Sequence, residues 1–157
     1  MSGLYFNESV ILLDIECTAK EEVLTEMSRN LVDKDLVKES FINAIIKREG
    51  EFPTGLPTAG VSVAIPHTDS EHVNKKTISI GVLKEAVDFG VMGDDSETTP
   101  VKIVFMLAMD ETHSQLTLLQ RLMGVFQNEN ILNYLVSEND KTTIKQLLEQ
   151  KLDLVAL

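Results

Sequence analysis

The apolar residues of the chain fall into short runs, and the spacing within the runs changes along the sequence. Residues 8–15 (ESVILLDI) form an apolar run of strand length. Residues 18–31 follow with an amphipathic helical pattern that opens on capping-box spacing. A second helical pattern begins after Asp35, a residue suited to cap a helix, and ends at Gly50, a residue type common just beyond helix C-termini. The first third therefore predicts a strand followed by two helices.

The middle of the chain predicts a loop and then a buried strand. Residues 51–60 contain two prolines and two glycines, a composition that indicates a structured loop without helix or strand. Residues 61–65 (VSVAI) are mostly apolar, and Pro66 ends this strand because proline has no N–H to donate to a sheet. His67 comes next and is thereby placed at the rim of a sheet, where α/β proteins keep many functional groups.

The second half alternates strands and helices. Residues 77–83 alternate apolar and polar side chains, which predicts a half-buried strand, and residues 87–91 predict a short strand or turn. Residues 93–100 (GDDSETTP) are polar and predict a loop or hairpin tip. Residues 101–109 (VKIVFMLAM) are almost continuously apolar and predict a central strand covered on both faces. Three helical segments complete the pattern, one after His113 that reaches Phe126, then about 130–136 and 140–152.

This alternation of element types indicates an α/β (α+β) fold. We expect one domain spanning residues 1–157, with a mixed parallel and antiparallel sheet of four or five strands and helices on both faces. His67 follows one predicted strand and His113 follows another, so both could lie at the same rim of the sheet.

The composition of the chain excludes several classes of partner and location. The 157 residues include 25 acidic and 14 basic side chains, for a formal net charge of −11, which argues against a nucleic-acid partner. The chain has no apolar run of the roughly 20 residues that a membrane-spanning helix needs. Its single cysteine, Cys17, allows no internal disulfide. We therefore expect a cytoplasmic protein that meets protein partners, is not itself inserted in a membrane and is by default a monomer.

Missing motifs exclude several kinds of chemistry. The sequence lacks the HExxH spacing of zinc hydrolases, the GxSxG nucleophile elbow, and the phosphate-binding loops GxxxxGK[ST] and GxGxxG. A zinc site would have to be assembled from two histidines and nearby acidic residues, which is a weak pattern. We expect no metal and no cofactor. The remaining possibility is an imidazole that acts as the nucleophile itself.

A neutral imidazole can accept a phosphoryl group at one ring nitrogen when an acceptor holds the other. The anionic phosphoryl group then needs cationic or N–H donors nearby. Candidates for this phosphate pocket are the Arg48 guanidinium, the His113 ring, the Thr54 hydroxyl and the backbone N–H groups of residues 112–114. Each also has a plainer interpretation, as a solvated arginine at a helix end, a surface histidine or a turn hydroxyl, and the residues alone leave these alternatives open.

Four segments taken together resemble a known family. They are residues 48–49 (RE), 52–55 (FPTG), 63–67 (VAIPH) and 110–116 (DETHSQL). The combination resembles the IIA domain of the phosphoenolpyruvate-dependent sugar phosphotransferase system, fructose/mannitol (type 2) superfamily, over nearly the whole chain. The FPTG turn with its preceding glutamate and the loop at 56–60 are most similar to the galactitol-type branch.

The resemblance implies a mixed sheet flanked by helices on both faces and a phosphotransferase role. The residue matching His67 is expected to take a phosphoryl group from the phosphocarrier protein HPr at Nε2, forming a tele-phosphohistidine. It is then expected to pass the group to a cysteine of a IIB partner, which works with a IIC permease in the uptake of a galactitol-like polyol. The residues matching Arg48 and His113 are expected to line the phosphoryl pocket.

A second role is compatible with the same resemblance. A regulatory IIA protein of the nitrogen phosphotransferase type would also be phosphorylated at His67, but it would control other proteins through its phosphorylation state. A binding domain of this fold that does not transfer phosphoryl groups would not require the combination of the RE, PTG and IPH segments. The sequence does not separate the transport role from the regulatory one.

Overall fold

Two long antiparallel strands form the centre of the fold in the computed structural model, which describes residues 3–154. The strands are β1 (Ile11–Ile15), β2 (Gly55–Leu56), β3 (Ser62–Ala64), β4 (Thr77–Val91) and β5 (Asp94–Ala108). The helices are α1 (Lys20–Asp33), α2 (Ser40–Glu51), α3 (Thr112–Phe126), α4 (Glu129–Ser137) and α5 (Lys141–Leu152). Short 3-10 turns occupy Glu8–Val10 and Ser70–His72.

The five strands form one mixed sheet. β5 pairs antiparallel with β4 on one side and parallel with β3 on the other. β1 pairs parallel with β4, and β2 pairs antiparallel with β3. Gly55 of β2 also bridges to Val91 at the far end of β4. The predicted fold class, a mixed sheet of four or five strands, is confirmed.

Helices cover both faces of this sheet. Successive residues of a strand point to opposite faces. On β5 the Phe105 ring packs against Phe126 of α3, with ring centroids 5.1 Å apart. Its neighbour Met106 accepts a hydrogen bond from the Ser28 hydroxyl of α1 across 3.8 Å. α1 and α3 therefore lie on opposite faces, with α2 packed beside α1, and α4 and α5 beside α3.

The segment predicted as a hairpin tip is mostly strand. β5 begins at Asp94, and the turn is confined to Met92 and Gly93, whose φ of 80° lies in the left-handed region. The polar side chains of Asp94, Ser96, Glu97 and Thr98 are exposed, while the backbone of this segment still pairs with β4. A periodicity of buried residues cannot reveal a strand whose side chains largely face water.

The boundaries of α2 also differ from the prediction. Asp35 does not cap it: this residue has a φ of 58° and lies in the turn after α1. Asp adopts the left-handed region more easily than most residues, which suits it to a turn as well as to a cap. α2 begins at Ser40 and continues through Gly50 to Glu51, so the glycine lies inside the last turn.

Two shorter segments were also assigned differently by the sequence. Residues 8–10 form a 3-10 turn, so that the first strand begins at Ile11. The loop at 51–60 contains the two-residue strand β2, which its pairing with β3 defines. Asp140, by contrast, caps α5 as predicted, because its carboxylate accepts the Thr142 N–H.

Gly55 is required by a close approach of two backbone segments. A Cβ atom there would lie 2.5 Å from the carbonyl oxygen of Gly90. We expect Gly55→Ala to lower the free energy of unfolding, measured by urea denaturation, by about 1–3 kcal/mol, because backbone atoms have little room to move aside. Gly81→Ala is the matched control, since its Cβ would meet the flexible end of the Met27 side chain, with the sulfur at 2.7 Å. Equal losses in the two variants would contradict this explanation.

Candidate functional site

His67 lies at the edge of the sheet where the parallel strands β3 and β5 end. The Leu107 N–H donates to the Pro66 carbonyl at 2.9 Å, and His67 itself bridges to Leu107. β5 ends at Ala108, and α3 begins four residues later at Thr112. Because the carboxyl ends of parallel strands share one edge, His67 and the N-terminus of α3 meet there. The shared rim expected from the sequence is present.

The histidine ring is held in one tautomer. Its Nδ1 lies 2.7 Å from the carbonyl oxygen of Ile65. Since a carbonyl oxygen can only accept, Nδ1 carries the proton and Nε2 holds the lone pair. Burial lowers the pKa of His67, the nearby charge of Arg48 lowers it further, and the hydrogen bond to Ile65 acts in the opposite direction. The imidazole is therefore kept neutral, the form that can act as a nucleophile.

A polar pocket of about 410 Å³ opens next to Thr68, the residue that follows His67, and the His67 ring is not itself among the described residues that line it. Arg48 brings a positive charge to it from the last turn of α2, and Thr68 lines it directly after His67. The first turn of α3 presents N–H groups that have no partner within the helix. The other lining residues are Asp69, Ser70, Glu71, Met109, Glu111, Thr112 and Gln115. Arg48 and the helix N-terminus are features suited to an anionic group, and the carboxylates of Asp69, Glu71 and Glu111 line the same pocket and oppose them.

Arg48 has two neighbours that orient its side chain. Its Nη1 lies 3.8 Å from Oδ1 of Asp69, and its guanidinium carbon lies 5.3 Å from the centroid of the Phe52 ring. The Arg48 side chain remains 39% exposed, so neither contact is a strong constraint by itself. The structure thus brings Arg48 and His67, two of the predicted site residues, to the same site.

His113 lies at the same edge but is turned toward solvent. It occupies the first turn of α3, and its side chain is exposed. Among the described residues, its helix neighbours Thr112 and Gln115 line the pocket, whereas His113, like His67, is not one of the lining residues. A role for His113 in the phosphate pocket stays a prediction.

Thr54 lies beneath the site. Only 4% of the residue is exposed. Its hydroxyl donates to Oε1 of Glu49 and its backbone N–H donates to Oε2, each at 2.8 Å. Its Oγ accepts the Ile65 N–H at 3.2 Å. Thr54 therefore contacts Ile65, two residues before His67, and it is not among the described residues that line the pocket. A role for Thr54 in the phosphate pocket stays a prediction.

Glu49 entered the resemblance only as part of the RE segment at residues 48–49, and no role of its own was predicted for it. It is 2% exposed, and burial raises the pKa of its carboxyl to about 7 in spite of the hydrogen bonds from Thr54. A signal was available, because Glu49 continues the helical spacing of Phe41 and Ile45, both fully buried. An acidic residue on the apolar stripe of a helix indicates a carboxyl with a specific partner.

Residues 3–154 have no group of three or more His, Cys, Asp or Glu side chains that could hold a metal ion. None of the helices in this part of the chain is both long enough and apolar enough to cross a membrane. Cys17 is a free thiol, and burial raises its pKa, which makes it less reactive.

The neutral imidazole, the guanidinium and the helix N-terminus at this edge of the sheet have the chemistry that a phosphoryl-binding site needs. The family model described as "Phosphoenolpyruvate-dependent sugar phosphotransferase system, EIIA 2" matches residues 4–151. The chain therefore belongs to this family, whose members are phosphotransferase components, and the resemblance stated from the sequence is confirmed.

Individual relatives agree with this assignment. The galactitol-specific EIIA component of Escherichia coli (strain K12) is 29% identical over 137 residues, which cover 87% of each chain. The crystal structure of a putative PTS IIA (PtxA) from Streptococcus mutans matches with a TM-score of 0.77 and 19% identity, over 92% of this chain and 90% of that one. Enzyme IIA of the mannitol system in its complex with phosphorylated IIB from Escherichia coli matches with a TM-score of 0.73 and 22% identity, over 94% and 97% of the two chains. The two structural likenesses show a shared fold.

Proposed function

We propose that this protein is the phosphoryl-carrier IIA component of a sugar phosphotransferase system, and that His67 accepts the phosphoryl group at Nε2 from phosphorylated HPr. The observation that carries this proposal is the 2.7 Å contact from Nδ1 to the Ile65 carbonyl. That contact leaves Nε2 of a neutral imidazole as the nitrogen with a free lone pair.

The transfer needs no net proton movement at His67. The Nε2 lone pair attacks phosphorus while the bond from phosphorus to the HPr histidine breaks, and the HPr ring leaves as neutral imidazole. The Nδ1 proton stays in its hydrogen bond to Ile65. In the second step a thiolate of IIB attacks phosphorus and the Nε2–P bond breaks, which restores neutral His67. Arg48 and the N–H groups at the start of α3 stabilise the charge on the moving group.

The proposed acceptor is a IIB component. The mannitol IIA structure to which this chain is similar stands in a complex with phosphorylated IIB. Two large apolar side chains next to the pocket are exposed here, Phe52 at 62% beside Arg48 and Leu116 at 54% after Gln115. A partner that covers the pocket would bury both side chains and would exclude water from the phosphohistidine.

The finer parts of the proposal concern substrate, compartment and remaining site residues. The 29% identity to a galactitol-specific component supports a galactitol-like polyol as the transported sugar. We propose that the relay operates in the cytoplasm and that the protein is a monomer with a single domain.

His113 is assigned to the onward transfer step, because its exposed ring is available to a docked partner. Thr54 acts on His67 indirectly, through its contact with Ile65.

The proposal is tested by incubating the protein with phosphoenolpyruvate, enzyme I and HPr and measuring its intact mass. We expect a gain of about 80 Da, one phosphoryl group, which requires HPr and is absent in His67→Gln. Addition of a galactitol-type IIB component should then remove the added mass. No gain, or a gain that persists in His67→Gln, would refute the role of His67. A phosphorylated protein that passes nothing to IIB would instead favour the regulatory alternative.

Arg48 provides a further prediction about the rate. We expect Arg48→Ala to slow phosphorylation by phosphorylated HPr about 10- to 100-fold, because a donor to the transferring group is lost. Arg48→Lys should fall between this variant and wild type, since it keeps the charge without the planar fork. The measurement is the initial rate by rapid quench. Arg29→Ala is the control, an exposed arginine that contacts Glu39 outside the pocket. Equal rates for Arg48→Ala and Arg29→Ala would show that Arg48 takes no part.

A further inference from the structure

We propose that Glu49 is a positioning residue for His67, acting through Thr54 and Ile65 to fix the ring nitrogen that accepts the phosphoryl group. This inference rests on the proposed function and adds to it a residue that touches neither the phosphoryl group nor the partner. It stands on an unbroken series of hydrogen bonds from the buried carboxylate to the imidazole.

The first step of the series joins Glu49 to Thr54. The two carboxylate oxygens accept separate donors from one residue, the backbone N–H and the hydroxyl of Thr54, both at 2.8 Å. This paired contact fixes the Thr54 backbone and its side-chain rotamer at once. Because the hydroxyl proton points to the carboxylate, the lone pairs of Oγ are free to face the next strand.

The second step joins Thr54 to the histidine through a single residue. The Ile65 N–H lies between Oγ and the carbonyl oxygen of Thr54, at 3.2 and 3.3 Å. The carbonyl of the same Ile65 accepts the Nδ1–H of His67 at 2.7 Å. The position of Ile65 therefore determines where the ring is anchored and which nitrogen keeps the proton.

The charge of Glu49 decides the direction of the first hydrogen bond. The carboxylate accepts the Thr54 hydroxyl proton, whereas the protonated acid would carry a proton of its own toward Oγ and reverse that bond. Burial raises the pKa of Glu49 to about 7, so both forms occur near neutral pH. In the part of the chain that is described, the charges with a resolved effect are Lys20 of α1 on Glu49, and Arg48 of α2 on His67.

The first test uses the unphosphorylated protein, so it is independent of phosphoryl transfer. The ring ¹⁵N shifts of His67 are followed by NMR against pH, with His67→Gln used to assign them. In wild type we expect two inflections, one from the ring itself and one near pH 7 from Glu49. Glu49→Gln should keep the first inflection and lose the second, because the amide has no proton to release in this range.

The second test uses a conservative pair at Thr54. Thr54→Ser keeps the hydroxyl and should retain both inflections, and it should be phosphorylated within about twofold of the wild-type rate. Thr54→Val keeps the shape and removes the hydroxyl, and its rate should fall about three- to tenfold. Glu49→Gln should fall by the same factor at pH 8 and match wild type within about twofold at pH 6, where the wild-type carboxyl is protonated.

These outcomes separate the two claims. Identical His67 shifts and rates in wild type, Glu49→Gln and Thr54→Val would overturn the positioning role, and so would an equal loss in Thr54→Ser and Thr54→Val, which would indicate packing alone. If wild type itself is not phosphorylated, the proposed function fails, and the NMR titration still decides whether Glu49 controls the ring. If Glu49→Gln does not fold, the Thr54 pair gives the decision.

Discussion

The His67→Gln variant is expected to transfer the phosphoryl group at least about 10⁴-fold more slowly than wild type, because the group that forms the covalent intermediate is removed. The glutamine amide has no nucleophilic lone pair comparable to that of Nε2. The measurement is the transfer of ³²P from phosphoenolpyruvate to polyol in a mixture of enzyme I, HPr, this protein and membranes that contain the IIB and IIC components. The residual rate should equal that of a mixture without this protein.

His72→Gln is the matched control for this variant. His72 is also partly buried, its Nδ1 lies 2.8 Å from the Ser40 hydroxyl, and its carbonyl accepts the Lys38 N–H. We expect His72→Gln to transfer at the wild-type rate. A comparable loss in both variants would mean that the His67 result reflects damage to the fold.

Glu49→Gln is expected to change how stability depends on pH. The folded protein holds a proton on Glu49 up to a pKa of about 7, whereas the unfolded chain releases it near 4.5. Between these values the folded state binds more protons, so this group makes wild type less stable as pH rises. The contribution of Glu49 to the free energy of unfolding is fully present below pH 4.5 and is lost by about pH 7. The change is up to about 3 kcal/mol.

The measurement is urea unfolding of wild type and Glu49→Gln at pH 4.5 and pH 7.5. Other groups titrate in this range, among them His67, whose lowered pKa makes stability rise with pH, but the difference between the two proteins isolates Glu49. The variant should gain up to about 3 kcal/mol relative to wild type at the higher pH. Glu51→Gln, an exposed neighbour, should show no such gain. A difference between wild type and Glu49→Gln that is independent of pH would contradict the buried, protonated state.

The sequence predicted correctly those elements whose pattern of apolar and polar side chains shows which of their faces are buried. The strand at 101–108 is apolar on both faces because helices cover both faces, and the pattern shows this directly. The start of β5 at Asp94 was missed because a largely exposed strand carries polar residues, and only its pairing with β4 defines it. The turn at Asp35 was missed because the same residue type favours caps and left-handed turns.

In the candidate site too, the sequence predicted the residues that local patterns place and missed those that depend on contacts between distant parts of the chain. His67 follows a strand-ending proline, and Arg48 lies in the last turn of a helix, so local patterns placed both. The hydrogen bonds of Thr54 join residues 5 and 11 positions away along the chain, and no local pattern indicates which partner a hydroxyl will choose. No role was predicted for Glu49 for the same reason, although its spacing from Ile45 places it on the buried face of α2.

The central claim, that His67 carries the phosphoryl group on Nε2, is tested most directly by NMR of protein labelled with ¹⁵N in its histidines. After phosphorylation by phosphoenolpyruvate, enzyme I and HPr, the account predicts a ³¹P–¹⁵N coupling to Nε2 of His67, with the proton retained on Nδ1. A coupling to Nδ1 of His67, or to a ring nitrogen of His72 or His113, would contradict it.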